Sequence, residues 1–347
     1  LLMGKLPTSE ELATLVAHID AERELPDGFT ASLIMKDTSP DLMNILARSV
    51  LLLYAADEQA EDRSPEHEIG TALSLLSRLP RITVLGYYAM QARFRGGSMI
   101  MHRFIPGQST SESILSMLRP DRAFSPDEAR MLDIMLCLHA EHGGGNNSTF
   151  VARTLTSADT DAYSTYAAAI GSLKGLRHGG ANHQVRAMQL DIQKHVKNWA
   201  DEGEVRDYLA RIVRKEAFDR TGLIYGMGHA VYTLSDPRAQ ICKANAVRLA
   251  RATDRERGTE YEAELALLEL IERLTPEVFA QVKGDTKTLC ANVDMYSGFV
   301  YSMLGIPDEL FTPLFASSRM AGWAAHRFEE IVSGKRIIRP AYKSTVA

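Results

Sequence analysis

Residues 292–331 read NVDMYSGFVYSMLGIPDELFTPLFASSRMAGWAAHRFEEI. Apolar residues recur through this stretch at helical spacing, over about 293–304 and 308–333, with almost no strand alternation. Asp294 stands at the start of the first helix, and Arg319 and His326 ride on the second. Working outward, the same period recurs at about 10–23, 40–56, 66–92 with an interruption at Pro80, 126–142, 161–172, 180–198, 203–214, 237–252 and 260–273. The expected fold class is all-α. No repeat of fixed period appears, which argues against a solenoid.

Helix starts are marked by their capping chemistry. Thr8 with Glu11, and Ser125 with Glu128 behind Pro126, have capping-box spacing, and Ser39 followed by Pro40 reads as an N-cap and first-turn pair. The opening LLMGKLPT reads as the last turn of a helix ending at Gly4, which implies a segment ahead of Leu1. The middle of the chain, with VRKEAFDR and ATDRERGTEYEAE, is richer in charge than its flanks. It is expected to be a small helical domain over 183–291, inserted in a large helical domain of 1–182 and 292–347.

With 347 residues, 45% hydrophobic and 24% charged, the chain has apolar material for a large core. The net charge of −5 arises from interspersed acids and bases, and no basic run exists to neutralise a phosphate backbone, so nucleic acid is not an expected partner. Cys137, Cys242 and Cys290 are scattered and lack CxxC spacing, which suggests neither a disulfide framework nor a zinc cluster and fits a reducing cytoplasm. Apolar runs such as SVLLLYAA at 49–56 fall short of the roughly 20 residues of a membrane span, so no membrane association is expected.

Three of the ten histidines sit beside glycines: His142 before GGGNN, His178 in KGLRHGGAN, and His229 in GMGHAVYTLSDPR. Glycine lets backbone approach a ligand closely. A helix N-terminus near His178 would disfavour the imidazolium and keep the ring a neutral hydrogen-bond donor. His139 and His142, one turn apart, could chelate a metal, but no HExxH pattern or nearby cysteine supports this, and no metal is expected. GMG at 226–228 follows no expected strand and lacks the third glycine of a dinucleotide loop. Three histidines, Asp294 and the arginines at 238, 319 and 339 together suggest an anion site with acid–base groups, hence a substrate bearing carboxylates.

The stretches HAEHGGGNNST (139–149), GSLKGLRHGGAN (171–182), GLIYGMGHAVYTLSDPRA (222–239), NVDMYSGFVYSMLGIP (292–307), LFASSRMAGWAAHR (314–327) and RPAY (339–342) resemble the citrate synthase family in order and spacing. The resemblance runs over the whole chain. It implies a helical homodimer of large and small domains with the active site in the cleft between them. It also implies an acyltransferase of the tricarboxylic acid cycle, with oxaloacetate and acetyl-CoA as substrates and no permanently bound cofactor.

By that resemblance, His178 hydrogen-bonds the thioester carbonyl, Asp294 removes a methyl proton and His229 polarises the ketone of oxaloacetate. The pairing has a chemical reason, since a thioester α-carbon is a weak acid and needs a base on one side and a donor to the incipient enolate oxygen on the other. His142, Arg238, Arg319 and Arg339 match groups that hold the dicarboxylate, with Arg339 reaching in from a neighbouring subunit. Asn146 faces the same pocket beyond the glycines, and His139 packs beneath it. The loop Leu223, Ile224, Tyr225, Gly226, Met227 and Gly228 resembles the backbone that receives the adenine of coenzyme A; Arg220, Lys283 and Lys287 are candidates for its phosphates.

Leu176-Arg177 stands where the family usually has Pro-Leu or Pro-Arg before the histidine. Two alternatives stand beside citrate formation. One is 2-methylcitrate synthase, using propionyl-CoA with the same catalytic groups, and the other is a non-catalytic protein of this fold binding coenzyme A or a carboxylate. One methylene is worth only about 1–3 kcal/mol in a pocket, so a few apolar residues decide the first alternative.

Overall fold

The computed structural model describes all residues except 177, 230, 231, 233, 285–288, 335 and 342–347, and the side chain of Leu33. Arg177 and Lys287, both weighed above, therefore lie outside the described residues.

The chain is all-α, and among the described residues the one β feature is an isolated antiparallel bridge between Met227 and Ala291. The helices are α1 (Ser9–Glu22), α2 (Leu42–Tyr54), α3 (Pro65–Phe94), α4 (Thr110–Leu118), α5 (Pro126–Ala140), α6 (Asn147–Thr156), α7 (Ala162–Leu173), α8 (Ala181–His195), α9 (Glu202–Val213), α10 (Pro237–Arg257), α11 (Tyr261–Lys283), α12 (Asp294–Met303) and α13 (Phe311–Ser333). A π-helical segment, Thr30–Lys36, precedes α2. Among the described residues no helix is long and apolar enough to cross a membrane.

Several local expectations are met and others corrected. Thr8 and Glu11 form the reciprocal capping box on α1, and Ser125 and Glu128 form one on α5. The cap of α2 is Asp41 in place of Ser39: its carboxylate accepts from Asn44 N–H, while Ser39 Oγ accepts from Asp41 N–H. Residues 1–7 form no helical turn, although Gly4 has φ +67°. The interruption at Pro80 is absent; α3 runs through it, because Leu75, Leu79, Pro80 and Ile82 are all buried and that packing outweighs one lost donor. Likewise α11 continues through Pro276 to Lys283. Two short helices, α4 and α6, escape the periodicity, although Ser109 with Glu112 and Asn146 cap them.

By its internal contacts the chain divides into two compact units: Leu1–Phe124 with His139–His178 and Thr312–Ala347, and Ser125–Leu138 with Gly179–Phe311. The second unit takes in more than 183–291. Packing explains why: α12 lies on α8 and α10, and the first part of α5 meets α10 where Met135 Sδ is 3.5 Å from Cys242 Sγ.

In the first unit α2, α3, α6 and α7 pack round a core that includes Tyr166, Ile170, Met320 and Trp323. Arg327 anchors α13 there. Its guanidinium meets Glu68 at 2.6 and 2.7 Å, and its remaining donor reaches Thr156, Thr165 and the Thr160 carbonyl. Both charges are buried and fully partnered, the condition under which such a pair is tolerated in a core. In the second unit Asn182 Nδ2 donates to Ser297 Oγ at 2.6 Å and Gln189 Nε2 to the Met295 carbonyl at 2.8 Å, which locks α8 to α12. A Cβ at Gly298 would come within 2.7 Å of Asn182 Oδ1, so only glycine permits this approach.

Candidate active site

The first unit carries His142, Asn146, His178, Arg319 and Arg339; the second carries the 223–228 loop, His229, Arg238 and Asp294.

In the first unit α5 ends at Ala140 and the chain turns through Gly143, whose φ of +81° suits glycine, into α6. Glu141 shapes the turn. Its Oε1 accepts from His142 N–H at 2.7 Å, from Gly143 N–H, and meets His326 Nε2 at 3.2 Å. Asn146 is the N-cap of α6: Oδ1 accepts from Thr149 N–H, which assigns the amide and leaves Nδ2 buried without a partner among the described residues.

His178 lies in the turn between α7 and α8, its Nε2 3.3 Å from the backbone N–H of Ser148 and 3.0 Å from Ser148 Oγ. A backbone N–H only donates, so Nε2 accepts and the neutral ring carries its proton on Nδ1. Burial, reinforced by the Arg319 charge, pushes the imidazolium pKa down to about 4. The helix N-terminus that meets the ring thus belongs to α6, upstream in sequence. Trp323 Nε1 donates to Ser148 Oγ at 3.1 Å and fixes that hydroxyl.

Arg319 is 1% exposed; Nε donates to the His139 carbonyl at 2.5 Å and the guanidinium lies 4.6 Å from the Phe315 ring centroid. His139 is buried with its ring against the same Phe315. Arg339 is placed otherwise. It is exposed, and the adjacent Ile338 N–H donates to Ser157 Oγ, at the opposite end of α6 from Ser148. Ten helical residues span about 15 Å, so Arg339 is not gathered with His178.

In the second unit the segments 226–228 and 290–292 are clamped together. Gly228 N–H donates to the Cys290 carbonyl at 2.7 Å, and Asn292 N–H to the Gly226 carbonyl at 2.9 Å. Gly226 has φ +84°, and a Cβ there would come within 3.0 Å of Met295. Asn292 completes the clamp: Nδ2 donates to the Gly228 carbonyl and Oδ1 accepts from Asp294 N–H. His229 follows one end of this clamp directly, and Asp294, first residue of α12, follows the other two residues on.

Tyr232 N–H donates to His229 Nδ1 at 3.0 Å, closer than the Arg238 guanidinium comes to Nε2, which favours the neutral tautomer with its proton on Nε2. Its imidazolium pKa is lowered by burial and by Arg238, against an opposing pull from Asp236. Arg238 is held side-on by the buried Asp236, with Nη2 3.5 Å from His229 Nε2. In the 223–228 loop Leu223 is exposed, Ile224 is buried, Met227 makes the bridge to Ala291, and Tyr225 OH donates to Asp219. Of the phosphate candidates, Arg220 is exposed, while Lys283 Nζ donates to the Gly222 carbonyl at 3.3 Å.

Sequence reasoning missed Ser148, Asn292 and Asp236. Each is a short polar residue beside a motif histidine or carboxylate, and the Asn-x-Asp spacing of Asn292 and Asp294 was the most readable signal. Among the described residues no cluster of three His, Cys, Asp or Glu is placed to hold a metal.

Each unit thus carries a motif histidine whose imidazolium is disfavoured by burial and a neighbouring arginine, Arg319 buried in the first and Arg238 half-buried in the second. Residues 1–341 match the family model "Citrate synthase, C-terminal domain". Over 349 residues the chain is 35% identical to citrate synthase of Deinococcus radiodurans, covering 100% of this chain and 84% of that one. It is 31% identical to 2-methylcitrate synthase 1 of Corynebacterium glutamicum, over 98% and 81% of the two chains. Among solved structures, citrate synthase of Pyrobaculum aerophilum superposes with TM-score 0.79 at 30% identity, covering 100% of this chain and 81% of that one. The Thermoplasma acidophilum citrate synthase, in ternary complex with carboxymethyl coenzyme A and oxaloacetate, superposes with TM-score 0.78 at 25% identity, over 100% and 84%. The chain belongs to the citrate synthase family. It is accordingly a transferase-type enzyme that condenses an acyl-CoA with oxaloacetate.

Proposed function

We propose that the acyl-CoA is acetyl-CoA and that the products are citrate and coenzyme A. The observation that carries the chemistry is the Ser148 N–H donated to His178 Nε2, because it commits the neutral ring to offer Nδ1–H. In this reading the Asp294 carboxylate takes a proton from the thioester methyl group while His178 Nδ1–H stabilises the charge growing on the thioester oxygen. The resulting carbon nucleophile attacks the ketone of oxaloacetate, whose oxygen, hydrogen-bonded by His229 Nε2–H, takes that proton to become the citryl hydroxyl, balancing the proton that Asp294 removed. Water then cleaves the citryl thioester and releases coenzyme A.

Arg238, Arg319 and His142 hold the dicarboxylate, and the buried, unpartnered Nδ2 of Asn146 supplies a further donor to it. The backbone of Leu223, Ile224, Tyr225, Gly226, Met227 and Gly228 receives the adenine. Arg339, exposed and remote from Ser148 within its own unit, serves the site of a second subunit in a homodimer. The enzyme acts in the cytoplasm and keeps no permanent cofactor.

Citrate and 2-methylcitrate synthases both stand among the relatives, so propionyl-CoA is the second reading. The deciding test is the ratio of kcat/KM for acetyl-CoA and propionyl-CoA with oxaloacetate, followed by thiol release. A ratio favouring propionyl-CoA replaces the first reading with the second, and no thiol release with either leaves a non-catalytic binding protein.

A further inference from the structure

Among the second unit's candidate site residues Asp236 has the least exposed carboxylate, and its four side-chain hydrogen bonds to described residues all go to Arg238 and Val293. Oδ1 accepts from the backbone N–H of Arg238 at 3.0 Å and from its Nε at 3.1 Å. Oδ2 accepts from Arg238 Nη2 at 2.8 Å and from Val293 N–H at 3.1 Å. The side chain is 0% exposed and that of Arg238 13% exposed. Burying a carboxylate is costly unless its lone pairs are filled, and here both oxygens are doubly filled. The burden is greater than an N-cap of α10 requires, since a neutral serine or asparagine would cap as well.

The side-on pairing uses the Nε and Nη2 edge of the guanidinium. It leaves Nη1, which makes no hydrogen bond to a described residue, pointing its donors away from the pair, and it brings Nη2 beside His229 Nε2. Through Val293 the same carboxylate also grips the residue before Asp294. One buried anion thus ties the arginine fork, which lies beside His229, to the start of the helix bearing Asp294.

We propose that Asp236 is a positioning residue for oxaloacetate, acting through Arg238: it fixes the guanidinium so that its outward edge is preset for a substrate carboxylate. The inference rests on the condensation reading above. Holding the fork in advance removes the rotamer entropy that a mobile arginine loses on binding.

The test measures Asp236→Asn by varying oxaloacetate and acetyl-CoA separately. The amide retains bulk and one acceptor but turns a donor toward Arg238 or Val293, so KM for oxaloacetate should rise about 10- to 100-fold, the scale of a lost hydrogen bond to a charged group. KM for acetyl-CoA should move less than about twofold, a split that general loosening of the unit would not produce. In an Arg238→Ala background the same substitution should add less than about twofold to the oxaloacetate KM, because the group through which it acts is gone. Equal rises in both KM values, or the full factor persisting in the Arg238→Ala background, overturn the proposal. Should Asp236→Asn fail to fold, Asp236→Glu keeps the charge, displaces the fork by one methylene and should give the same selective rise. Failure of the condensation reading is separate: it shows in wild-type protein that releases no thiol. Titration calorimetry of oxaloacetate against wild type and variant then still decides the role of Asp236, unchanged affinity overturning it.

Discussion

The Nε2 of His178 accepts a hydrogen bond from the backbone N–H of Ser148, thirty positions earlier in the chain, at 3.3 Å. This contact decides which ring nitrogen holds the proton, and Trp323, on a third segment, holds the Ser148 hydroxyl beside it.

The depressed His178 pKa makes stability depend on pH. In the unfolded chain the ring takes a proton near its ordinary value of 6.5, whereas in the fold it resists until about 4. Between these values the unfolded state binds more protons, so stability is highest above about 6.5 and falls as pH drops toward 4. His178→Asn should flatten the urea-unfolding free energy across this window relative to wild type. An unchanged slope would show that the ring titrates normally.

Replacing Ser148 with alanine keeps the backbone N–H and the His178 tautomer but orphans the Trp323 indole N–H. Unfolding free energy should fall by about 1–3 kcal/mol, the cost of an unsatisfied buried donor. The titration midpoint of His178 observed by NMR should stay well below 6.5. A midpoint restored to normal would place the hydroxyl, and not the backbone, in control of the ring.

Asp294→Asn should lower turnover by about 10² to 10⁴, the usual contribution of a positioned general base. Oxaloacetate affinity should be nearly intact. Near-normal turnover would remove Asp294 from the mechanism.

Glu68→Ala would leave the guanidinium of Arg327 buried without its hydrogen-bonded carboxylate, Asp161 acting on it only as a more distant charge. The loss should be about 3–5 kcal/mol, read from the denaturation midpoint. Because α13 also carries Arg319, oxaloacetate affinity should weaken in the same variant. A stability change under 1 kcal/mol would show that water reaches the arginine.

Arg339→Ala should weaken oxaloacetate binding by roughly 1.5–3 kcal/mol if the fork engages a carboxylate. Mixed with Asp294→Asn subunits, it should regain activity, since one site of the heterodimer then has its own Asp294 and the neighbour's Arg339. No recovery on co-refolding, with heterodimers confirmed by mass, rules out the crossing.

Most of the helices were readable because a helix buries a stripe, and the 3.6-residue period of apolar side chains records that stripe locally. The caps at Thr8 and Ser125 were equally local. Helix α6 was not, since its apolar face is short and its cap, Asn146, stands where a glycine run suggests only a loop. Pro80 misled for a related reason: the local rule counts a missing donor, while burial of the surrounding side chains is a long-range gain the rule does not contain.

The candidate catalytic groups could be named from motifs because short segments carry their own residue identities. Sequence alone thus determined the helical class, the family resemblance and the list of histidines, arginines and the aspartate. Tertiary structure alone decided their chemical state. The proton of His178 sits on Nδ1 because Ser148, on another helix, donates to the other nitrogen; Asp236 holds both Arg238 and Val293 because the chain returns 57 residues later to meet it. Hydrogen-bond partnership and desolvation are properties of neighbours in space, and no local period or motif encodes which distant backbone N–H will arrive at a given ring or carboxylate.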